Sequence, residues 1–284
     1  MWTVRRGPEE DTGSAWFSRS TDGGRTWSPH RLVYDPGKEH VAPFGNVIAV
    51  LPHRVLLYVM TVEDDASNTL DVMAARSVDG GRTWSSPALI AHANFNPAID
   101  PDTGTEATGT PGDAWVTVGP DGVPTVVWTD LASPDSSRVR ASRSTDGGRS
   151  WSRPVAVSRV RGQAIQATIA AAGDGTLGIT WYDDRRDPGG SSAAWNYDVW
   201  FAFSRDGGRS WRHRHLAGPF DMNRAQAIEG AGRRIGDYQS LAGLPHGFAA
   251  AFTQAPPRAK IGASDVFFAH VRTGQRPRRP GHRR

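Results

Sequence analysis

The sequence predicts an all-β fold in which successive four-stranded sheets are arranged as a propeller, and three observations carry that prediction. The octet Ser20-Thr21-Asp22-Gly23-Gly24-Arg25-Thr26-Trp27 recurs, with changes only at its second and seventh positions, at 77–84, 144–151 and 204–211. The aspartates of the four copies, Asp22, Asp79, Asp146 and Asp206, lie 57, 67 and 60 residues apart, too long a period for a helical solenoid and about one four-stranded sheet per repeat. No window carries strong helical periodicity, while 32 glycines, 20 prolines and 11 tryptophans suit many short strands and tight turns. At 284 residues, one large all-β domain is the better expectation than two small ones.

Each residue type in the octet has a turn-building reason. Asp-Gly between apolar runs is a strong hairpin signal: the glycines supply positive φ, and the aspartate accepts backbone N–H bonds of the turn. The Ser and Thr hydroxyls cap the same turn, and the closing Trp buries a large ring against the sheet. If each octet joins the third strand (C) to the fourth (D), the remaining strands fall into register. The first set has Ala15 to Arg19 as C, His30 to Asp35 as D and only Met1 to Val4 for a piece of B, so it is incomplete. The second reads 46–51, 54–62, 70–76 and 88–92. The third reads 114–118, 125–129, 138–143 and 154–159, and the fourth 166–172, 177–182, 198–203 and 213–217. A fifth set, 238–244, 248–253 and 265–271, has no octet and stops after C.

These octets are Asp boxes, and over roughly residues 14 to 272 the chain resembles the sialidase-like propellers that carry bacterial neuraminidase repeats. The resemblance implies a sialidase-type β-propeller of six blades, with the N-terminal blade incomplete in this chain. Met1-Trp2-Thr3-Val4 is similar to the strand ends Val126-Val127-Trp128-Thr129 and Ile179-Thr180-Trp181-Tyr182, which predicts a coding sequence that begins upstream of Met1. Localisation is not legible in the chain as it stands; an upstream extension would make secretion the expectation.

Composition excludes several classes. Without cysteine there is neither a disulfide framework nor a thiolate metal site, and the nine histidines show no ligand spacing. Neither a signal-peptide stretch nor an apolar run near the length of a membrane span is present. The net charge of +4 is more than accounted for by six arginines within 272–284, so the domain of residues 1–272 is near neutral and 273–284 reads as a basic disordered tail. No aromatic residues are interleaved with that tail, so nucleic acid is not an expected partner. The expected partner is a carbohydrate substrate or glycan ligand, bound by a monomer with neither cofactor nor metal.

Because the boxes are C–D turns, a site is expected on the opposite face, where the D–A connections 93–113 and 218–237 and the B–C connections 183–197 and 254–264 are long. The richest run is Trp181-Tyr182-Asp183-Asp184-Arg185-Arg186-Asp187, continuing to Trp195-Asn196-Tyr197-Asp198. Asp183, Asp184, Arg185 and Arg186 are candidate substrate-binding residues, since the planar guanidinium fork binds a carboxylate bidentately. The competing reading is a self-neutralising cluster that orders the loop. Arg234, in Arg233-Arg234-Ile235-Gly236-Asp237-Tyr238-Gln239-Ser240-Leu241, is a third candidate arginine. That stretch resembles the one in sialidases where a Tyr begins an inner strand, and the resemblance makes Tyr238 the nucleophile. A phenol near pKa 10 needs a carboxylate to take its proton. No Glu stands at the start of the third or fourth strand A, where Gln163 and Gln166 are found, so Glu229 is the candidate partner. Asp64 or Asp65 is the candidate acid/base. The family's Phe/Tyr-Arg-Ile-Pro motif is absent. Glu39, Asp100, Asp102, Glu106, Asp113 and Asp130 share this face, where most surface acids are simply solvated, and Asp100-Pro101-Asp102-Thr103-Gly104 reads as a turn. The alternative function is a non-catalytic Asp-box propeller that binds a glycan or protein through the same loops.

Overall fold

A computed structural model describes residues 1–6, 12–38, 40–64, 67, 69–94, 96–107, 113–131, 137–158, 162–187, 194–230, 232–237, 239–258 and 262–274. The first sheet is β1 (Trp2–Arg6), β2 (Thr12–Phe17) and β3 (Arg31–Tyr34). The second is β4 (Val41–Val50), β5 (Leu56–Asp64), β6 (Thr69–Ser77) and β7 (Ala88–Asn94). After two short strands, β8 (Ala98–Ile99) and β9 (Glu106–Ala107), comes the third sheet: β10 (Trp115–Val118), β11 (Pro124–Leu131), β12 (Ser137–Arg143) and β13 (Val155–Ala156). The fourth is β14 (Ile165–Ala171), β15 (Leu177–Asp183), β16 (Asn196–Ser204) and β17 (Arg212–Asp221). Two more short strands, β18 (Gln226–Ile228) and β19 (Gly232–Arg234), precede the last sheet: β20 (Ser240–Leu244), β21 (Gly247–Gln254) and β22 (Asp265–Arg272).

These five sheets are antiparallel meanders in chain order, and the first and last have three strands each among the described residues, as the repeat register predicts. The fold is an all-β propeller. Several boundaries differ from expectation: β4 begins at Val41 rather than at 46, and β17 runs on to Asp221 rather than ending at 217. Strand D of the third sheet shrinks to Val155–Ala156, and the inner strand of the last begins at Ser240. The two long D–A connections also hold strands of their own. The pairs β8–β9 and β18–β19 join through a parallel contact at Ala107 and Arg233. That contact requires glycine at 232, where a Cβ would stand 2.2 Å from the Glu106 carbonyl oxygen. The basic tail from residue 275 onward lies outside the described residues.

The boxes close their hairpins with side chains. In the second copy Ser77 Oγ accepts from Gly81 N at 2.8 Å, while Asp79 accepts from Thr83 N at 2.9 Å and from Thr83 Oγ1 at 2.6 Å. The same bonds recur around Asp22, Asp146 and Asp206. They favour the ionised form and hold the Asp22 carboxyl down at about 2. The octets also join neighbouring sheets. The arginine just before each of the first three boxes donates to the first glycine carbonyl of the next box: Arg19 to Gly80 at 3.2 Å, Arg76 to Gly147 at 2.5 Å and Arg143 to Gly207 at 3.0 Å. In the fourth copy that position is Phe203; Arg205 donates instead to the Thr273 carbonyl of the last sheet.

Packing follows the same sheet-to-sheet order. One apolar cluster joins the first and second sheets through Ala15, Tyr58 and Met60, and another joins the second and third through Leu57, Val59 and Trp128. Val127, Ile179 and Trp181 join the third and fourth, and Tyr197, Phe201, Phe248 and Phe252 join the fourth and last. Full burial of one such side chain contributes about 1.5–3 kcal/mol. The box tryptophans divide: Trp84, Trp151 and Trp211 are part-buried against these clusters, whereas Trp27 is 64% exposed because no earlier described sheet lies behind it. On the box face, the A–B turns of the third, fourth and last sheets line one shared depression through Gly119, Gly173 and Pro245. The inner strands therefore converge on one axis, and their N-terminal ends meet on the opposite face.

Candidate functional site at the loop-face mouth of the channel

Two inner strands bulge as they leave the loop face. β4 shifts register between Phe44 and Val47, with Gly45 at φ +62°, and β14 between Ile165 and Thr168, with Gln166 at φ +53°. A bulge re-aims the residues beside it. A Cβ on Gly45 would come within 3.0 Å of Asp113 Oδ1, so the missing side chain makes room for that carboxylate. Asp113 enters the inner strand of the third sheet and is only 7% exposed. Burial, and next the negative charge of Asp237, push its carboxyl up to about 6.

Asp237 precedes the inner strand of the last sheet. Arg234 holds it as a fork, Nε to Oδ1 at 2.8 Å and the terminal nitrogen to Oδ2. Gln166 Nε2 donates to the Gly236 carbonyl at 2.6 Å, and Gln239 Nε2 donates to the Gln166 carbonyl. These bonds bind the last inner strand to the fourth sheet, with Asp113 and Asp237 within electrostatic reach of each other.

Beside this mouth the acidic run forms a buried network. Asp184 accepts from Gln163 N at 2.5 Å, Gln163 Nε2 at 3.0 Å and Trp195 Nε1 at 3.3 Å, and burial raises its carboxyl above the ordinary range despite those bonds. Gln163 also exchanges two hydrogen bonds with the Ile99 backbone, which ties the 93–113 connection to the fourth sheet. Asp183 accepts from Trp181 Nε1 at 2.7 Å and from Arg185, whose guanidinium lies 4.0 Å over the Trp200 ring. Arg186 lies 3.5 Å from the fully buried Asp198, which also meets His215 Nε2 at 2.6 Å.

The three predicted substrate-binding arginines are thus each paired with a carboxylate: Arg185 with Asp183, Arg186 with Asp198 and Arg234 with Asp237. Asp183 and Asp184 face different donors and share no partner. Glu229 is exposed in the turn between β18 and β19, beyond the Ile228–Gly232 pair and about 10 Å along the hairpin from the Arg234 end at ~3.3 Å per residue. Asp64 closes β5 in an ion pair with Lys38 at 2.6 Å, which lowers its carboxyl. Tyr238, Asp65 and Glu39 lie outside the described residues. Asp113 is the residue that sequence reasoning passed over. The search for a carboxylate at the start of the third strand A looked for Glu, and Asp stands there one methylene shorter. Among the described residues no group of three or more His, Asp or Glu side chains is placed to hold a metal ion.

Comparison with known proteins agrees with this architecture. The BNR/Asp-box repeat family matches residues 18–29. A sialidase from Bacteroides fragilis is 27% identical over 224 residues, covering 69% of this chain and 36% of that protein. The chain is thus similar to sialidases and carries the Asp-box repeat found among them. Among solved structures, the Hadza microbial sialidase Hz136 is similar with a TM-score of 0.51 at 18% identity, over 81% of this chain and 46% of that one. An α-L-arabinofuranosidase from Fusarium graminearum is similar with a TM-score of 0.57 at 14% identity, over 95% of this chain and 88% of that one. Both structural likenesses speak for the fold. The sialidase-like chain spans about a third of the curated relative's length and just under half that of Hz136.

Proposed function

We propose that this sialidase-like chain is a glycoside hydrolase in which Tyr238 attacks the anomeric carbon as the glycosidic C–O bond breaks, Asp113 takes the phenolic proton, and the departing aglycone oxygen takes a proton from water. The observation that carries the reading is the Asp113 carboxyl, buried at the channel mouth within electrostatic reach of Asp237, the residue next to Tyr238, and held at about 6. A base with that value is ionised at neutral pH yet protonates readily, which is what proton transfer from a phenol near pKa 10 needs. Water would then add to the anomeric carbon as its bond to the Tyr238 oxygen breaks, and Asp113 would return its proton to that phenolate. The finer reading is exo-α-sialidase activity, with the sugar carboxylate held by an arginine fork. Arg234 is the arginine nearest in sequence to Tyr238, and a carboxylated sugar would compete with Asp237 for it.

The test is turnover of fluorogenic glycosides, an α-sialoside beside neutral pyranosides and furanosides. The expected result is sialoside cleavage lost in Tyr238→Phe and reduced about 10²–10⁴-fold in Asp113→Asn. Unchanged turnover in Tyr238→Phe rejects that nucleophile, and cleavage of neutral glycosides alone rejects the acidic substrate. A specific observation favours a second reading, a non-catalytic propeller that binds a glycan or protein on this face. Arg185, Arg186 and Arg234 all serve ion pairs that order their own loops. Failure to cleave any of the glycosides would support it.

A further inference from the structure

On the box face, three consecutive sheet interfaces are built alike but filled differently. At the first, the Phe17 ring occupies the space a side chain on Gly81 would take, 2.1 Å from where its Cβ would stand. At the second, Leu57 Cδ1 fills the equivalent space beside Gly148, at 2.6 Å. At the third both plugging positions are small. Ala141 stands two residues before Arg143, as Phe17 stands before Arg19. Thr125 pairs with Arg143 across the sheet, as Leu57 pairs with Arg76. The nearest atoms to a Cβ on Gly208 belong to Trp211 and Leu177 of its own sheet, at 3.5 and 3.7 Å, and nothing reaches across from the third. What remains is a cavity of about 440 Å³, within the range of small-molecule sites, against about 350 Å³ at the first interface, where Phe17 narrows the space and the acid Asp79 joins the lining.

Its lining combines an indole, Trp151, and Val155 with three guanidinium groups, Arg143, Arg153 and Arg209. Arg143 gives one N–H to Gly207 and has its Nε buried without a partner, and Arg209 gives one N–H to the Asp206 carbonyl at 3.2 Å, so each keeps terminal donors beyond these bonds. No carboxylate lines the cavity. Asp146 and Asp206, the acids of the adjoining boxes, commit both oxygens to their own turns. A guanidinium fork suits a carboxylate, and an indole beside a valine suits the apolar face of a sugar ring. We infer that this cavity is a binding site for the terminal residue of an acidic saccharide, on the face opposite the channel mouth.

The test is calorimetric titration of the full chain with a thio-linked, non-hydrolysable α-sialoside, its neutral methyl ester and sodium sulfate. The expected result is saturable binding of the sialoside, at least tenfold weaker binding of the ester and weaker binding still of sulfate. Ala141→Phe and Thr125→Leu copy the native plugs of the other interfaces. Each is expected to weaken sialoside binding at least tenfold while keeping or raising the unfolding temperature, and Arg153→Gln to weaken it similarly. Equal affinity for sulfate and sialoside overturns the saccharide assignment. Absent binding, or affinity undiminished in both plugged variants, overturns the site; binding that survives plugging belongs to the channel mouth.

Discussion

Arg76 gives the sharpest test of how the repeat holds the ring together. Its guanidinium leaves the second sheet and donates to the Gly147 carbonyl of the next box at 2.5 Å, and its stem packs 3.4 Å from where a Cβ on Gly148 would stand. A hydrogen bond to a charged group is worth about 1.5–3 kcal/mol, and a side chain that is only part-buried argues for the lower end. Arg76→Met keeps most of the stem and removes the donor, so the expected loss is about 1.5 kcal/mol. For a chain of this size that lowers Tm by about 3 °C. Arg149→Met is the control, since Arg149 bonds only within its own box, to the Asp146 carbonyl at 2.9 Å. Burial, and next the charge of Arg149, hold the Arg76 guanidinium below its ordinary pKa. Removing Arg149 should therefore leave Tm unchanged or raise it slightly. Thermal unfolding followed by circular dichroism decides: equal Tm shifts in the two variants, or none in Arg76→Met, would refute the claim that these arginines latch one sheet to the next.

Three further outcomes follow from the same contacts. The Asp113 carboxyl binds its proton more tightly in the folded chain, at about 6, than in the unfolded chain, near 3.9, so the folded state loses stability as pH rises between those values. Two units correspond to about 3 kcal/mol; Asp113→Asn should stabilise the chain by up to that much more at pH 7.5 than at pH 3.5, and denaturant titrations giving the same gain at both would count against it. Gln163→Leu strips Asp184 of a donor and Ile99 of two hydrogen bonds, an expected loss of about 2–4 kcal/mol with faster amide exchange in 98–99, and a loss below about 1 kcal/mol would show the network to be incidental. Gly81→Ala combines φ +88° with a clash against Phe17 and should lower Tm by several degrees; Phe17→Leu in the same chain should recover part of the loss, and no recovery would place the cost in the backbone alone.

What was legible in the sequence was local. The boxes close through bonds spanning two to four residues, so their chemistry is written in the octet, and their spacing set the order of all five sheets. The arginine latch was visible as a repeated Arg-Ser before the Asp but not interpretable, because its acceptor lies 61 to 71 residues away. The loop face was less legible for the same reason. Gln163 meets Ile99 across 64 residues and Gln166 meets Gly236 across 70, so two glutamines that looked like substitutes for a catalytic acid serve as ties between connections. Asp113 resembled any solvated acid until Gly45 and Asp237 were brought to it by the fold. The 93–113 and 218–237 connections read as loops because strands of two or three residues leave no periodicity to detect.

The ion pairs then separate support from chemistry on that face. The B strands of the second, third and fourth sheets each end in a carboxylate with its own cation: Asp64 with Lys38, Asp130 with Arg140 and Asp183 with Arg185. In the last sheet the corresponding residue is the uncharged Gln254, and the neighbouring Thr253 is tied instead to the Tyr182 hydroxyl through both its N–H and its carbonyl. Charge at the strand B ends is therefore neutralised pair by pair, so they contribute little net field at the mouth. The starts of the inner strands are arranged otherwise. Asp237 has its arginine, but Asp113 is buried within reach of the Asp237 charge, and carboxylates perturbed in this way cluster at functional sites. That imbalance, more than the acidic run that dominates the sequence of the loop face, is the reason to look for chemistry at Asp113 and at Tyr238, which follows Asp237 in the sequence.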